Sequence, residues 1–176
     1  MIIGLVSDSH GVTGKLEEML KLPEAARAEC WLHAGDFTQD ADYLAMVCGK
    51  PVHKVAGNGD WPTNVPEDLL LELGGHRIYL THGHMQGVRS GTGRLADYAA
   101  LQGADIAVYG HTHVADITPR NKQGVTVLNP GSVARPRDES RGSFMIMELK
   151  ADRELEVTLI RLSDAHAFNF LKMKNR

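Results

Sequence analysis

Along this chain, short apolar runs break repeatedly into glycine and polar residues. The first, Ile2–Val6, is uninterrupted and opens straight into a polar loop, as a strand buried on both faces does. Residues 12–22 carry Leu16, Met19, Leu20 and Leu22 at roughly helical spacing, and Pro23 closes the segment. The alternation repeats, with a strand predicted over 30–34, a helix over 41–48 and a third strand over 52–56. Connections this short favour parallel strands with right-handed crossovers, a class of sheet that binds ligands beyond the carboxyl ends of its strands.

The middle of the chain changes character. Residues 69–73 and 77–81 flank Gly74-Gly75, which reads as a hairpin around a two-residue turn. A helix over 93–102 and a buried strand over 106–109 follow. From Ala115 onward the pattern is strand-rich, with a turn at 121–124, strands near 125–128, 143–149 and 155–162, and a tail of mixed polarity. No internal repeat or linker interrupts the sequence. The expected fold class is α/β, organised as one domain over 1–176 and long enough to bury most of the surface its unfolded chain exposes.

Composition narrows the function. Cys30 and Cys48 have neither the spacing nor the company of a disulfide framework or zinc knuckle, so a reduced, cytoplasmic chain is expected. No run approaches the roughly 20 apolar residues of a membrane helix, so no membrane partner is expected. Nineteen Lys and Arg against 22 Asp and Glu leave a net charge of −3. Without a dense basic patch, stable binding of duplex nucleic acid is not expected, whereas a small phosphate ester stays compatible if metal ions supply the positive charge. A homo-oligomer has no sequence signature for or against it.

Five of the breaks from apolar run to polar loop carry metal-ligating side chains. The motifs are Asp8-Ser9-His10-Gly11, Gly35-Asp36, Gly57-Asn58-Gly59-Asp60, His82-Gly83-His84 and Gly110-His111-Thr112-His113. Asp8 and His10 are two apart, as are His111 and His113, and in extended backbone that spacing sends both side chains to one side. Carboxylate, imidazole and amide oxygen form a mixed donor set that suits Mn²⁺, Fe or Zn²⁺, with Ni²⁺ also compatible, better than Ca²⁺. Two such ions about 3.5–4 Å apart clamp both the attacking and the leaving oxygen of an in-line displacement at phosphorus, and lower the pKa of a bound water to about 7. Asp36 is the candidate shared ligand. A hydroxide bridging the two metals would then be the nucleophile, which accounts for the lack of a Ser-His-Asp set.

These motifs, in this order, resemble the calcineurin-like metallophosphoesterases, whose linear pattern is Asp-x-His, Gly-Asp, Gly-Asn, His, Gly-His-x-His. The Gly57–Asp60 form and Asn129-Pro130-Gly131-Ser132, followed by Arg135-Pro136-Arg137, look like the small YfcE-type phosphodiesterases within that superfamily. The resemblance implies a sandwich of two mixed sheets flanked by helices, with the metals at the loop edge. It implies one metal held by Asp8, His10, Asp36 and His113, and the other by Asp36, Asn58, His82 and His111. Many relatives place a histidine after the motif asparagine, and here that position is Gly59, which leaves the general acid unassigned.

The candidate catalytic set is therefore Asn58, His82, Asp60 and His84, with Asp60 and His84 the alternatives for the missing acid or for orienting a ligand. Arg135 and Arg137 have the chemistry of a phosphate clamp and equally that of a solvated loop. His33 points away from Asp36 if its strand alternates, so a packed or hydrogen-bonded histidine is expected there. His53, His76 and His166 read as ordinary strand, turn and tail residues, and Trp61 either walls the cleft or packs on the domain. The reading is a two-metal phosphodiesterase of small diesters, most readily with Mn²⁺. A phosphomonoesterase with the same ligands is the near alternative. A non-catalytic scaffold, as in a retromer subunit of this fold, is the distant one. An amidohydrolase barrel would need about 250 residues and its His-x-His pair on the first strand.

Overall fold

The computed structural model describes residues 1–162 and 171–175, so His166 and most of the tail lie outside the described residues. Two sheets carry the fold. The chain runs β1 (Ile2–Val6), α1 (Thr13–Leu20), α2 (Pro23–Ala26), β2 (Cys30–His33), α3 (Thr38–Cys48) and β3 (Val52–Lys54). It continues through the hairpin β4 (Asp68–Leu73) and β5 (His76–Thr81), then α4 (Gly93–Leu101), β6 (Ile106–Val108), β7 (Ala115–Thr118) and β8 (Thr126–Pro130), and closes with β9 (Ser143–Leu149), β10 (Leu155–Arg161) and β11 (Leu171–Asn175).

The first sheet has six strands in the order β11-β10-β9-β1-β2-β3, and the second has five in the order β4-β5-β6-β8-β7. Both are mixed. Strands β1, β2 and β3 are parallel as the alternation implies, but β9 joins β1 antiparallel and extends the sheet through β10 and β11. In the second sheet β5, β6 and β8 are parallel, with β4 and β7 antiparallel at its edges.

Period-2 alternation sorts the side chains into layers. Ile3, Leu5 and Leu32 from the first sheet pack with Ile78, Leu80, Ile106 and Val108 from the second, forming the core between them. On the outer face of the first sheet, Val6, Trp31 and Phe144 meet Leu16, Met19 and Leu44 of α1 and α3. On the outer face of the second, Tyr79, Ala107 and Val127 meet Leu95, Ala96 and Ala99 of α4. Helices thus flank both sheets.

Gly4 sits mid-strand because the buried Trp31 ring lies on its bare backbone, where a Cβ would fall 2.3 Å from Trp31 Cε3. Gly4→Ala must displace that ring and should cost about 3 kcal/mol. An unchanged urea midpoint for the variant would show that the ring has room to move.

The structure revises several boundaries. Pro23 does more than end a helix, since it opens α2 from the first helical position, where its missing N–H costs nothing. Helix α3 begins at Thr38, three residues before the expected start. Strand β3 stops at Lys54, whereas β8 runs on to Pro130. Strand β11 falls within the tail that reads only as mixed polarity. The Gly74-Gly75 turn has positive φ at both residues, +56° and +82°, as a tight hairpin of right-twisted strands requires. His76 is not an ordinary turn residue, because it opens β5, is buried, and bonds Asp105.

Candidate metal centre

The motif residues gather at one end of the sandwich, beyond the carboxyl ends of the strands. Asp8 and His10 follow β1, Asp36 follows β2 and Asn58 follows β3, all from the first sheet; His82 follows β5, and His111 and His113 follow β6, from the second. The site is built across the seam between the sheets.

Asp8, His10, Asp36 and His113 each aim one donor atom at a common point, with those atoms all within 4.8 Å of one another. His10 Nε2 lies 3.1 Å from His113 Nε2, and His113 Nε2 lies 3.2 Å from Asp8 Oδ1. Beside this group, His82 Nε2 stands 3.4 Å from the other Asp36 oxygen, Oδ1, and the His82 and His111 rings are 5.0 Å apart. Asp36 therefore faces both clusters, with Oδ2 turned to His10 and Oδ1 to His82.

Second contacts fix which atoms are presented. His82 Nδ1–H donates to Ala34 O at 2.7 Å and His113 Nδ1–H donates to Arg135 O at 2.6 Å, leaving each Nε2 to face the centre. Asp8 Oδ2 accepts from Ser7 Oγ and from the His111 N–H, while Asp8 Oδ1 and His82 Nε2 are buried with no hydrogen-bond partner among the described residues. Buried orphans are costly unless something else satisfies them. Two converging orphans and a pair of imidazole nitrogens in near contact fit a cationic occupant.

Backbone conformation here departs from expectation. The Asp8–His10 and His111–His113 pairs are not extended: φ is +55° and +49° in the first, +68° and +61° in the second, and +57° at Asp36. Left-handed backbone costs a non-glycine residue roughly 1 kcal/mol or more, and such strain collects at functional sites. Close approach adds to it, since a Cβ on Gly57 would fall 2.1 Å from Asp36 Oδ1.

Charge states suit ligation. Burial, reinforced by neighbouring His82, pushes His111 down to about 4. Burial also lowers His10, against the pull of Asp36 and Asp8. Both rings are neutral at neutral pH, with lone pairs available. His113 moves the other way, raised by the Asp8 carboxylate 3.2 Å from its Nε2 despite burial.

The profile of the calcineurin-like phosphoesterase superfamily domain matches residues 1–152. The chain belongs to that superfamily. It is 32% identical over 152 residues to a probable metallophosphoesterase, YsnB, of Bacillus subtilis, covering 86% of each chain. It is 28% identical over 172 residues to the phosphodiesterase YfcE of Escherichia coli K12, covering 84% of this chain and 88% of that one. Among solved structures, a conserved uncharacterized protein of Streptococcus pneumoniae TIGR4, described as a predicted phosphoesterase, superposes with a TM-score of 0.75 at 27% identity, over 98% of this chain and 97% of the other. The superfamily is metal-dependent, and the donor set described above fits that chemistry.

A cavity of about 420 Å³ opens over the centre, lined by His10, Asp36, Asn58, His111 and His113 on the floor and by Arg89, Arg135 and Arg137 on the wall. Neither Arg89 nor Phe37 belongs to a motif. Phe37 directly follows Asp36 and packs edge-on against the His10 ring, centroids 5.5 Å apart. Arg89 lies in a 3₁₀ turn entered from Gly87. An apolar residue after the Gly35-Asp36 motif, and a lone cation in a glycine-bounded loop, are the only signals the sequence carried for them.

Asp60 and His84 stand apart from that lining. Asp60 accepts from Thr38 N–H at 2.6 Å and Gly57 N–H at 2.8 Å, tying the start of α3 to the Asn58 loop. His84 rests 5.5 Å from the His82 ring and 6.1 Å from the His111 ring, and burial and His82 lower its pKa. Trp61 neither packs on the domain nor lines the cavity, and is 81% exposed.

His33 is fully buried beneath the centre and driven down to about 4 by burial, against the pull of Asp8, Asp40 and Asp60. Gly35 N–H donates to its Nδ1, so Nε2 carries the proton and donates to Ser9 Oγ. His33→Ala should leave metal content intact and lower stability by about 2 kcal/mol through the two lost partners. Metal loss, measured by elemental analysis, would make His33 part of the centre.

Proposed function

We propose that this chain is a metal-dependent phosphodiesterase acting on small phosphodiesters. The observation that carries the reading is the convergence of Asp8, His10, Asp36 and His113 donor atoms, with the orphaned Asp8 Oδ1 and His82 Nε2, beneath an arginine-walled cavity. In this reading one divalent ion is held by Asp8, His10, Asp36 and His113, and a second by Asp36, Asn58, His82 and His111. Manganese is the expected native metal, with Zn²⁺, Fe and Ni²⁺ able to satisfy the same donors. Bound there, the ions supply a water acidic enough to attack phosphorus and a clamp for the developing charge.

The chain's own residues hold and orient. Arg135, Arg137 and Arg89 draw in the phosphate and keep its free oxygens turned to the wall. Asp60 is a positioning residue, holding the Asn58 loop against α3. His84, beside the His82 ring, is the candidate for the acid that Gly59 does not supply, and as a ring whose pKa is lowered it favours esters whose leaving group needs little protonation. Relatives named phosphodiesterase and metallophosphoesterase support the class. The absence among the described residues of a helix able to cross a membrane, and two free cysteines, fit a cytoplasmic setting.

The test is hydrolysis of a chromogenic aryl phosphodiester and its matching monoester by metal-stripped protein, before and after Mn²⁺, with Asn58→Ala as control. Manganese-restored diester cleavage that is absent from the variant establishes the activity. Faster cleavage of the monoester makes it a phosphomonoesterase. No turnover with any divalent ion, despite stoichiometric binding, makes the chain a metal-binding scaffold.

A further inference from the structure

A second polar site lies at the opposite end of the second sheet. His76 opens β5 and His82 follows that strand's last residue, so the six-residue strand separates the site from the metal centre by about 20 Å. A cavity of about 60 Å³ there is lined by His76, Asp105, Arg120, Thr126 and Arg153, with Ile106 and Leu155 beneath. It holds a few waters or one small polyatomic ion, at about 10–15 Å³ per water, and is too small for a nucleotide.

His76 is the informative residue, being only 4% exposed. Its Nδ1 sits 2.9 Å from Asp105 Oδ2, while its Nε2 is buried and has no hydrogen-bond partner among the described residues. Asp105 is already committed to three donors, Oδ1 accepting from the Arg77 N–H and Oδ2 from both His76 and Arg153. Burial works to raise Asp105, but Arg153, the Arg77 N–H and His76 outweigh it and hold the carboxyl below its ordinary value. Arg120 also reaches the cavity, and no ion pair ties it down among the described residues. A carboxylate behind an imidazole is the arrangement that orients metal-binding histidines too. Two guanidiniums around the same small space repel a cation and leave an anion as the fitting occupant.

We propose that this cavity binds a small oxyanion of the phosphate class, held by Arg120, Arg153 and the Nε2 of His76. Nδ1–H donates to Asp105, which leaves the partnerless Nε2 to accept from the P–O–H of a hydrogen phosphate or of a monoester end, while the guanidiniums donate to its charged oxygens. Free phosphate and the phosphate end of a small monoester offer this site the same chemistry.

The test is a titration of the whole protein with inorganic phosphate, following the His76 ring by ¹⁵N-resolved NMR, with sodium chloride at equal ionic strength as the blank. His76→Gln assigns the resonance. The expected result is a saturable shift of His76 Nε2 that needs about tenfold more phosphate in Arg120→Gln, an exposed substitution that leaves the fold and the aryl-ester turnover unchanged. Methyl phosphate binding as tightly as phosphate would extend the site to monoester ends, and phosphate alone would restrict it to the free ion. Absence of a saturable shift, the same shift with chloride, or unchanged affinity in both Arg120→Gln and Arg153→Gln would overturn the proposal and leave His76–Asp105–Arg153 as a structural tie. Because the readout is local to His76, phosphate bound at the metal centre does not mimic it.

Discussion

Asp36→Asn will fold like the parent chain and cleave an aryl phosphodiester at least about a thousandfold more slowly. Asp36 offers one oxygen to each cluster, Oδ2 towards His10 and Oδ1 towards His82, so in the proposed two-ion site it is the residue whose loss would affect both ions together. The substitution is nearly isosteric, and an amide oxygen still accepts from the Gly59 N–H that now meets Asp36 Oδ1 at 2.8 Å. A shared negative charge is what disappears. Losing it would weaken attraction for both proposed ions at once, and about 4 kcal/mol of lost stabilisation corresponds to the thousandfold. Circular dichroism and elemental analysis accompany the kinetics: native ellipticity with two metals bound and turnover within tenfold of the parent would remove Asp36 from its bridging role.

Chelation will lower the thermal midpoint by about 10 °C, and restoring Mn²⁺ will recover it. Stripped of cations, the fold keeps Asp8 Oδ1 and His82 Nε2 buried without partners, and it holds Asp8, His10, Asp36, His111 and His113 in left-handed backbone. Both are conditions of the native state alone, and a bound ion offsets them. An ion present at about a thousand times its dissociation constant contributes roughly 4 kcal/mol, and each kcal/mol moves the midpoint of a chain this size by about 2–4 °C. Differential scanning fluorimetry with and without EDTA measures it. Equal midpoints for metal-free and metal-loaded samples would show that nothing binds at this centre with useful affinity.

Much of the fold was legible because its strands are short apolar runs that end abruptly. The runs 2–6, 30–34 and 106–109 each stop where glycine or a polar residue begins, and each stop leads into a motif residue. The resemblance, and not periodicity, supplied the two-sheet arrangement, since nothing in β9 announces that it will pair antiparallel with β1. Strand β11 was legible in principle, because Leu171, Lys172, Met173 and Lys174 alternate in sequence.

Within the site, residue identity carried the donor set but not its geometry. Asp8 and His10 bring donor atoms to one point, but not through the extended backbone that their spacing suggests: positive φ at aspartate and histidine is set by the surrounding fold and leaves no mark in the sequence. Arg89 and the His76–Asp105 pair were hidden for a related cause. One is brought to the cavity by a short 3₁₀ turn, and the other joins residues 29 apart through the parallel neighbours β5 and β6.

The seam between the sheets has a kinetic consequence. Asp8, His10, Asp36 and Asn58 hang from one sheet, and His82, His111 and His113 from the other, so a half-formed chain with a single sheet in place offers neither proposed ion a complete set of donors. Tight metal capture must then come after the sheets dock, as the last event of assembly. During refolding, metal uptake would lag the burial of Trp31, which needs only the first sheet and its helices, and the interval between the two would time the closing of the sandwich.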